Sequence, residues 1–274
     1  MSDKHQFEAK ILDDEGAPPS TASSASVELA NLLRTAADPA LTEDLALALL
    51  KRADLPPEVI EQLARNANPL KSRKVKIALA SHRNTPRHVS IPLARQFYTF
   101  DLMKVALSPG VPADVKVATD DVLISRLKTV TVGERLTLAR RASGRVAAAL
   151  LLEIENGGVK IADAKTVARE SRVMRTALEN PRLTEALVIN SVLRPAASAA
   201  LVHTVAQYEK WSRRREIRAA LLRTEHLSLA RALEFSREIP APLLHEILSS
   251  SRLPAQIKEQ LLRESQADPS QPRC

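Results

Sequence analysis

From Val27 onward, apolar side chains recur at intervals of three and four residues, the spacing of one face of an α-helix. The first such run, Val27, Leu29, Ala30, Leu32 and Leu33, predicts a helix ending near Ala37. Thr42 then supplies a capping hydroxyl for a second helix through Leu45, Leu47, Leu49 and Leu50. Pro56 fits the first position of a third, which carries Val59, Ile60 and Leu63 until Asn66-Ala67-Asn68-Pro69 breaks it. A further helix from about Ser72 carries Val75, Ala78 and Leu79, and Thr85-Pro86 starts another. Later, Val132-Gly133-Glu134 opens a helix, Ala147 to Leu152 forms an apolar run, and Asn156-Gly157-Gly158 reads as a turn.

The organising stretch is Val173 to Leu187, where one helix ends and another begins. Asn180 accommodates the left-handed conformation that closes a helix, and Pro181 does not continue one. Thr184 and Glu185 offer a cap and a first-turn negative charge. The same grammar occurs 142 residues earlier, at Pro39, Leu41, Thr42, Glu43 and Leu45. Looser versions at Ser81 to Pro86 and Arg223 to Ser228 suggest a period of about 43 residues, in the range of two- and three-helix repeats. The expected architecture is all-α, an α-solenoid of stacked helical hairpins in one domain over 27–265. Its repeats fall near 38–80, 81–123, a diverged 124–179, 180–222 and 223–265. Residues 1–26, ending in a Pro- and Ser-rich stretch, are expected to form a disordered acidic tail, and 266–274 a flexible C-terminus.

Val75-Lys76-Ile77-Ala78-Leu79-Ala80, followed by Thr85-Pro86 and Leu93, resembles the leucine-rich-repeat-variant pattern V-R-x-A-L-A-x-N-P-x-T-P. Arg175 to Pro181 and Ile217 to Leu221 are similar to it, and equally to the V-R-x-x-A-x-x-A-L helix of HEAT repeats. The likeness is specific at the bends. The chain departs from the leucine-rich-repeat variants in its 43-residue period and in having no cysteine cluster. Such HEAT-like families imply a curved solenoid that binds something along one face, without implying a shared reaction.

Composition changes the picture in three respects. Aromatic residues are only 3% of the chain and glycines number six, against 26% charged residues, which suits a helix-rich protein with an Ala/Leu core. A net charge of +8, with about −3 in residues 1–26 and about +11 in the rest, favours acidic partners, an acidic protein or peptide first, with nucleic acid or an anionic membrane surface as alternatives. The one cysteine, Cys274, leaves no intramolecular disulfide or thiolate metal cluster, which suits a cytoplasmic location. No apolar run is long enough to span a membrane, so no membrane insertion is expected.

Candidate chemistry is sparse. His5, His82, His88, His203, His226 and His245 form no helical metal-ligand pair and read as surface or loop residues. No nucleophile elbow or phosphate loop occurs, and the close carboxylate pairs Asp120-Asp121 and Glu153-Glu155 read as solvated helix ends. No catalytic, cofactor-binding or metal residue is assigned. HEAT-like DNA glycosylases combine such a fold with aromatic residues at the damaged nucleotide. Here Phe97, Tyr98, Phe100, Tyr208 and Trp211 are the main candidates, and packing of Tyr208 against Trp211 is the simpler reading.

The basic residues are more informative. Arg73 with Lys76, Arg172 with Arg175, and Arg215 with Arg218 are each three apart on one helix face, and Lys210, Arg213 and Arg214 extend the set. On the last helix, Ile217, Ala220 and Leu221 form the buried side, with Arg215 and Arg218 away from it. These nine residues form a binding stripe, an intramolecular ladder with carboxylates of neighbouring repeats, or a merely solvated face. Few carboxylates flank Arg213-Arg214-Arg215, which keeps the stripe reading open beside the ladder. The functions expected are a non-catalytic scaffold for a protein or peptide; a nucleic-acid-binding solenoid using phosphate contacts; and, third, a DNA-repair-type enzyme.

Overall fold

The structure, a computed structural model, describes residues 21–152, 164–195 and 197–267. The Glu153-Glu155 pair, the Asn156-Gly157-Gly158 turn, His5, Cys274 and most of the expected tail lie outside them. The described residues hold seventeen α-helices and no strand. Contacts divide the chain into two compact units, Met1–Pro86 and Arg87–Cys274.

In the first unit, α1 (Thr21–Ala37), α2 (Glu43–Leu50), α3 (Pro57–Arg65) and α4 (Arg73–Ser81) pack alternately, α1 on α3 and α2 on α4. α1 begins at Thr21, inside the segment expected to be tail. Apolar positions three and four apart carry Ala46, Leu50, Val59, Ile60, Leu63, Val75 and Leu79 into one core. Burying each leucine, isoleucine or valine there contributes about 1.5–3 kcal/mol. The caps follow the sequence closely. Thr42 Oγ1 accepts from the Leu45 amide at 3.4 Å, and Ser72 Oγ from the Val75 amide at 3.5 Å. Pro56 takes the N-cap of α3, leaving Pro57 as the first helical residue.

The second unit begins with α5 (Arg87–Arg95), α6 (Thr99–Leu107), α7 (Ala113–Ser125), α8 (Val132–Arg141), α9 (Gly144–Leu152), α10 (Ala164–Leu178) and α11 (Glu185–Val192). It continues through α12 (Ala199–Gln207), the one-turn α13 (Glu209–Ser212), α14 (Arg215–Leu222), α15 (Leu229–Ser236), α16 (Ala241–Ser249) and α17 (Ala255–Ala267). One row of helices stacks in the order α5, α7, α9, α11, α14, α16. In a second row α8 packs on α10 and α10 on α12, while α15 packs on α17. α8 starts at a full capping box: Thr131 Oγ1 accepts from the Glu134 amide, and the Glu134 carboxylate accepts from the Thr131 amide at 2.8 Å. Arg135 and Glu170 form a two-point ion pair between α8 and α10, with distances of 2.7 and 3.1 Å.

At four bends a polar side chain ties a helix end to an earlier one. Asn66 donates to Ala36 O, 30 residues back, and accepts from the Asn68 amide. His82 bonds Arg52 O, also 30 back, and accepts from the Asn84 amide. Asn180 donates to Ala139 O, 41 back, and to Ala142 O, while accepting from the Arg182 amide. Ser251 donates to Leu222 O, 29 back, and accepts from the Leu253 amide. In each case one side chain closes its own turn and also satisfies a carbonyl at the end of a stacked helix, a group that would otherwise lack a partner. The expected 43-residue period is not the spacing these bonds follow. Helices of eight or nine residues make hairpins shorter than that.

Thr184 departs from its twin. It holds the N-cap position of α11 but its hydroxyl makes no capping bond, whereas Thr42 does. In urea unfolding, Thr42→Ala is expected to lose about 0.5–2 kcal/mol and Thr184→Ala to stay near neutral. Equal losses for the two would contradict this difference.

Candidate functional site

Three helices of the stacked row in the second unit each turn one stripe toward a common open groove of about 400 Å³. α7 contributes Asp121 and Ile124. α9 contributes Arg145, Ala148, Ala149 and Leu152. Leu187, Asn190 and Ser191 come from α11, with Arg194 just beyond its end. The spacing of three, four and seven residues is that of a single helix face, so each helix shows one stripe to the groove and its opposite face to the core. The alanines make the floor shallow. Val146, Ala147, Leu150 and Leu151 on the same helix are fully buried beneath it.

A glycine fixes the position of that floor. At Gly144, the first residue of α9, a Cβ would lie 2.2 Å from the Arg182 carbonyl oxygen and 3.0 Å from the Leu187 side chain. α9 therefore approaches the bend before α11 more closely than any side chain at that position permits. Ser143, just before it, accepts from the Val146 amide and donates to Asp120 Oδ2 at 2.8 Å, tying α9 to α7.

Of the carboxylates 120 and 121, Asp121 is exposed as the sequence suggests, but Asp120 is not solvated. Asp120 is buried, its Oδ1 has no hydrogen-bond partner, and burial pushes its carboxyl above the ordinary carboxylate range. The Ser143 bond and the Arg145 charge oppose that rise, and Asp121 adds to it. Asp121 accepts from Arg145 Nη2 at 2.8 Å, and the other arm of Arg145 donates to Val117 O at 3.3 Å. Arg194 is exposed, and among the described residues no hydrogen bond or ion pair engages its guanidinium.

The expected basic stripe is placed as follows. Arg73 and Lys76 lie on α4 of the first unit and are each engaged in an interaction, beside an ion pair between Lys74 and Glu43 at 3.4 Å. In the second unit, Arg172 and Arg175 are exposed on α10 and Arg215 is exposed at the start of α14. Lys210 Nζ and Arg214 sit 4.6 and 5.2 Å from the centre of the Trp211 ring. Arg213 pairs with Glu209, and Arg214 pairs with Glu185 at 2.6 Å, so the cluster has the local carboxylates that its sequence neighbourhood seemed to lack. Arg218, expected beside Arg215 on an open face, has a side chain only 12% exposed. It donates to Ser212 O at 2.6 Å, pairs with Glu238 and lies over the Phe235 ring. The reason is α15, which packs on α14 and covers that side of it.

His82, read as a surface or loop residue, is buried as one of the bend-bridging side chains; His88, His203, His226 and His245 are exposed. Trp211 is 1% exposed and donates its indole N–H to Leu178 O at 2.9 Å, which makes it a packing residue. Tyr98 and Phe100, at the start of α6, are 70% and 42% exposed. No cluster of three or more His, Cys, Asp or Glu among the described residues is placed to hold a metal, and none of their helices is long and apolar enough to cross a membrane. The groove itself escaped sequence reading. The available signal was the run of small residues at Ala147-Ala148-Ala149 on an otherwise leucine-rich helix. Compared with protein-family models, with curated proteins and with solved structures, the chain matches none.

Proposed function

We propose that this chain is a non-catalytic binding scaffold of the helical-repeat, α-solenoid kind, and that its second unit takes a short segment of a protein partner in the groove over α7, α9 and α11. The groove is the observation that supports the reading. It is open, has the volume of a ligand site, and combines apolar walls at Ile124, Leu152 and Leu187 with polar groups at Asn190, Ser191, Arg145 and Arg194. Its floor is held by backbone-tight packing at Gly144, so it is pre-formed and a bound segment need not meet the cost of organising it.

The phosphate-contact reading keeps support from the exposed Arg172, Arg175 and Arg215, and loses support from the engaged Arg213, Arg214 and Arg218. A displayed peptide library panned on the full chain, beside a titration with a short DNA duplex at about 50 mM salt, separates the two. The scaffold reading expects a family of peptides that is retained by wild type and lost from Ala149→Trp, whose indole fills the floor. Duplex binding that falls steeply with salt, in the absence of any retained peptide family, would overturn it in favour of nucleic acid.

A further inference from the structure

The groove contains three charged side chains, and two of them are already committed to each other. The Asp121 carboxylate holds one arm of Arg145 at 2.8 Å, and Val117 O takes the other. Arg194 is the remaining charge. It is exposed at the end of α11 and unengaged among the described residues, on the same stripe as Asn190, which is likewise exposed and without a described side-chain partner. The groove thus has a surplus positive charge at one end, beside an amide able to donate, and a shallow apolar floor of Ala148 and Ala149 along the rest.

Resting on the groove reading above, we infer that this site selects a segment bearing one carboxylate, an Asp or Glu side chain, which Arg194 receives while small apolar residues of the same segment lie over the alanine floor. Arg194 is suited to this because a planar guanidinium meets a carboxylate through two parallel N–H···O bonds. The Arg145–Asp121 pair works as a filter. Asp121 repels a second carboxylate at the far end of the groove, where α9 and α11 begin, and Arg145, held by its partner, does not attract one there. One acidic position therefore fits, and a polyacidic run does not. The seven-residue stride of the α9 and α11 stripes is about 10 Å along the helix, the length of about three extended residues, so the acidic and apolar contacts belong to neighbouring positions of one short segment.

The test uses pools of acetylated, amidated octapeptides with small apolar flanks and a fixed central Asp, Asn, Lys or Asp-Asp-Asp. Their retention is measured on the full chain as wild type, Arg194→Glu and Ala149→Trp. Wild type is expected to retain the Asp pool about tenfold better than the Asn pool, the difference a charged hydrogen bond makes, and better than the triple-Asp pool. Arg194→Glu, at an exposed position, is expected to fold normally by circular dichroism and to reverse the preference toward Lys. Equal retention of the Asp and Asn pools, with Ala149→Trp still abolishing both, would overturn the carboxylate inference and leave the groove reading standing. Retention unaffected by Ala149→Trp, or no retention of any pool, would overturn both.

Discussion

Replacing Trp211 with alanine is expected to cost about 3–5 kcal/mol of unfolding free energy, the range for removing a large aromatic side chain from a packed interior. Trp211 is fully enclosed at the one-turn helix α13, and its indole N–H satisfies Leu178 O, the last carbonyl of α10. Removing it leaves a cavity, deprives that carbonyl of its donor, and takes away the ring against which Lys210 and Arg214 rest. Trp211→Phe separates these contributions. It keeps most of the volume and loses the N–H, so it is expected to lose about 1–3 kcal/mol. A loss below about 1 kcal/mol for the alanine variant in urea unfolding would mean that Trp211 is not enclosed as described.

Asn180→Ala is the second large effect, at about 2–4 kcal/mol. The side chain is 1% exposed, donates to Ala139 O at 2.8 Å and Ala142 O at 3.1 Å, and accepts from the Arg182 amide at 2.8 Å. Its loss strands two buried carbonyls and a half-buried amide, which is costlier than the net worth of the bonds themselves. Asn180→Asp gives the sharper comparison. A carboxylate still accepts from the Arg182 amide but has no N–H for the two carbonyls, so a turn-closing role alone would tolerate it. The bridging role predicts a loss at least as large as that of alanine, since a buried charge would face two carbonyl oxygens. Stability retained in the aspartate variant would contradict the bridge.

These two residues show where the sequence was legible and where it was not. Helix boundaries are local events. The hydroxyl of Thr42, the Thr131 and Glu134 box and the apolar spacing of α3 and α4 act within one turn and are visible in one turn of sequence. The bends at Asn66, His82, Asn180 and Ser251 are readable as bends. Their second role depends on carbonyls 29 to 41 residues earlier, and nothing in the local pattern names those partners. The bridging bonds span 29 to 41 residues, and cap residues alone carry no sign of those intervals. Arg218 failed similarly. Helical geometry placed it correctly away from Ile217 and Leu221, but whether that side is solvent or another helix depended on where α15 packs. The groove combines residues from three helices well separated in the chain, and only its small-residue floor leaves a mark in the sequence.

Calorimetric titration of a library-selected peptide into wild type and Ala149→Trp tests the central claim most directly, because position 149 lies on the groove floor and outside the buried core. The scaffold reading predicts one-to-one binding by wild type and an affinity lower by at least about tenfold in the variant, equivalent to about 1.4 kcal/mol, with the urea midpoint unchanged. Equal affinity for the two proteins would place the binding elsewhere on the molecule and contradict the account.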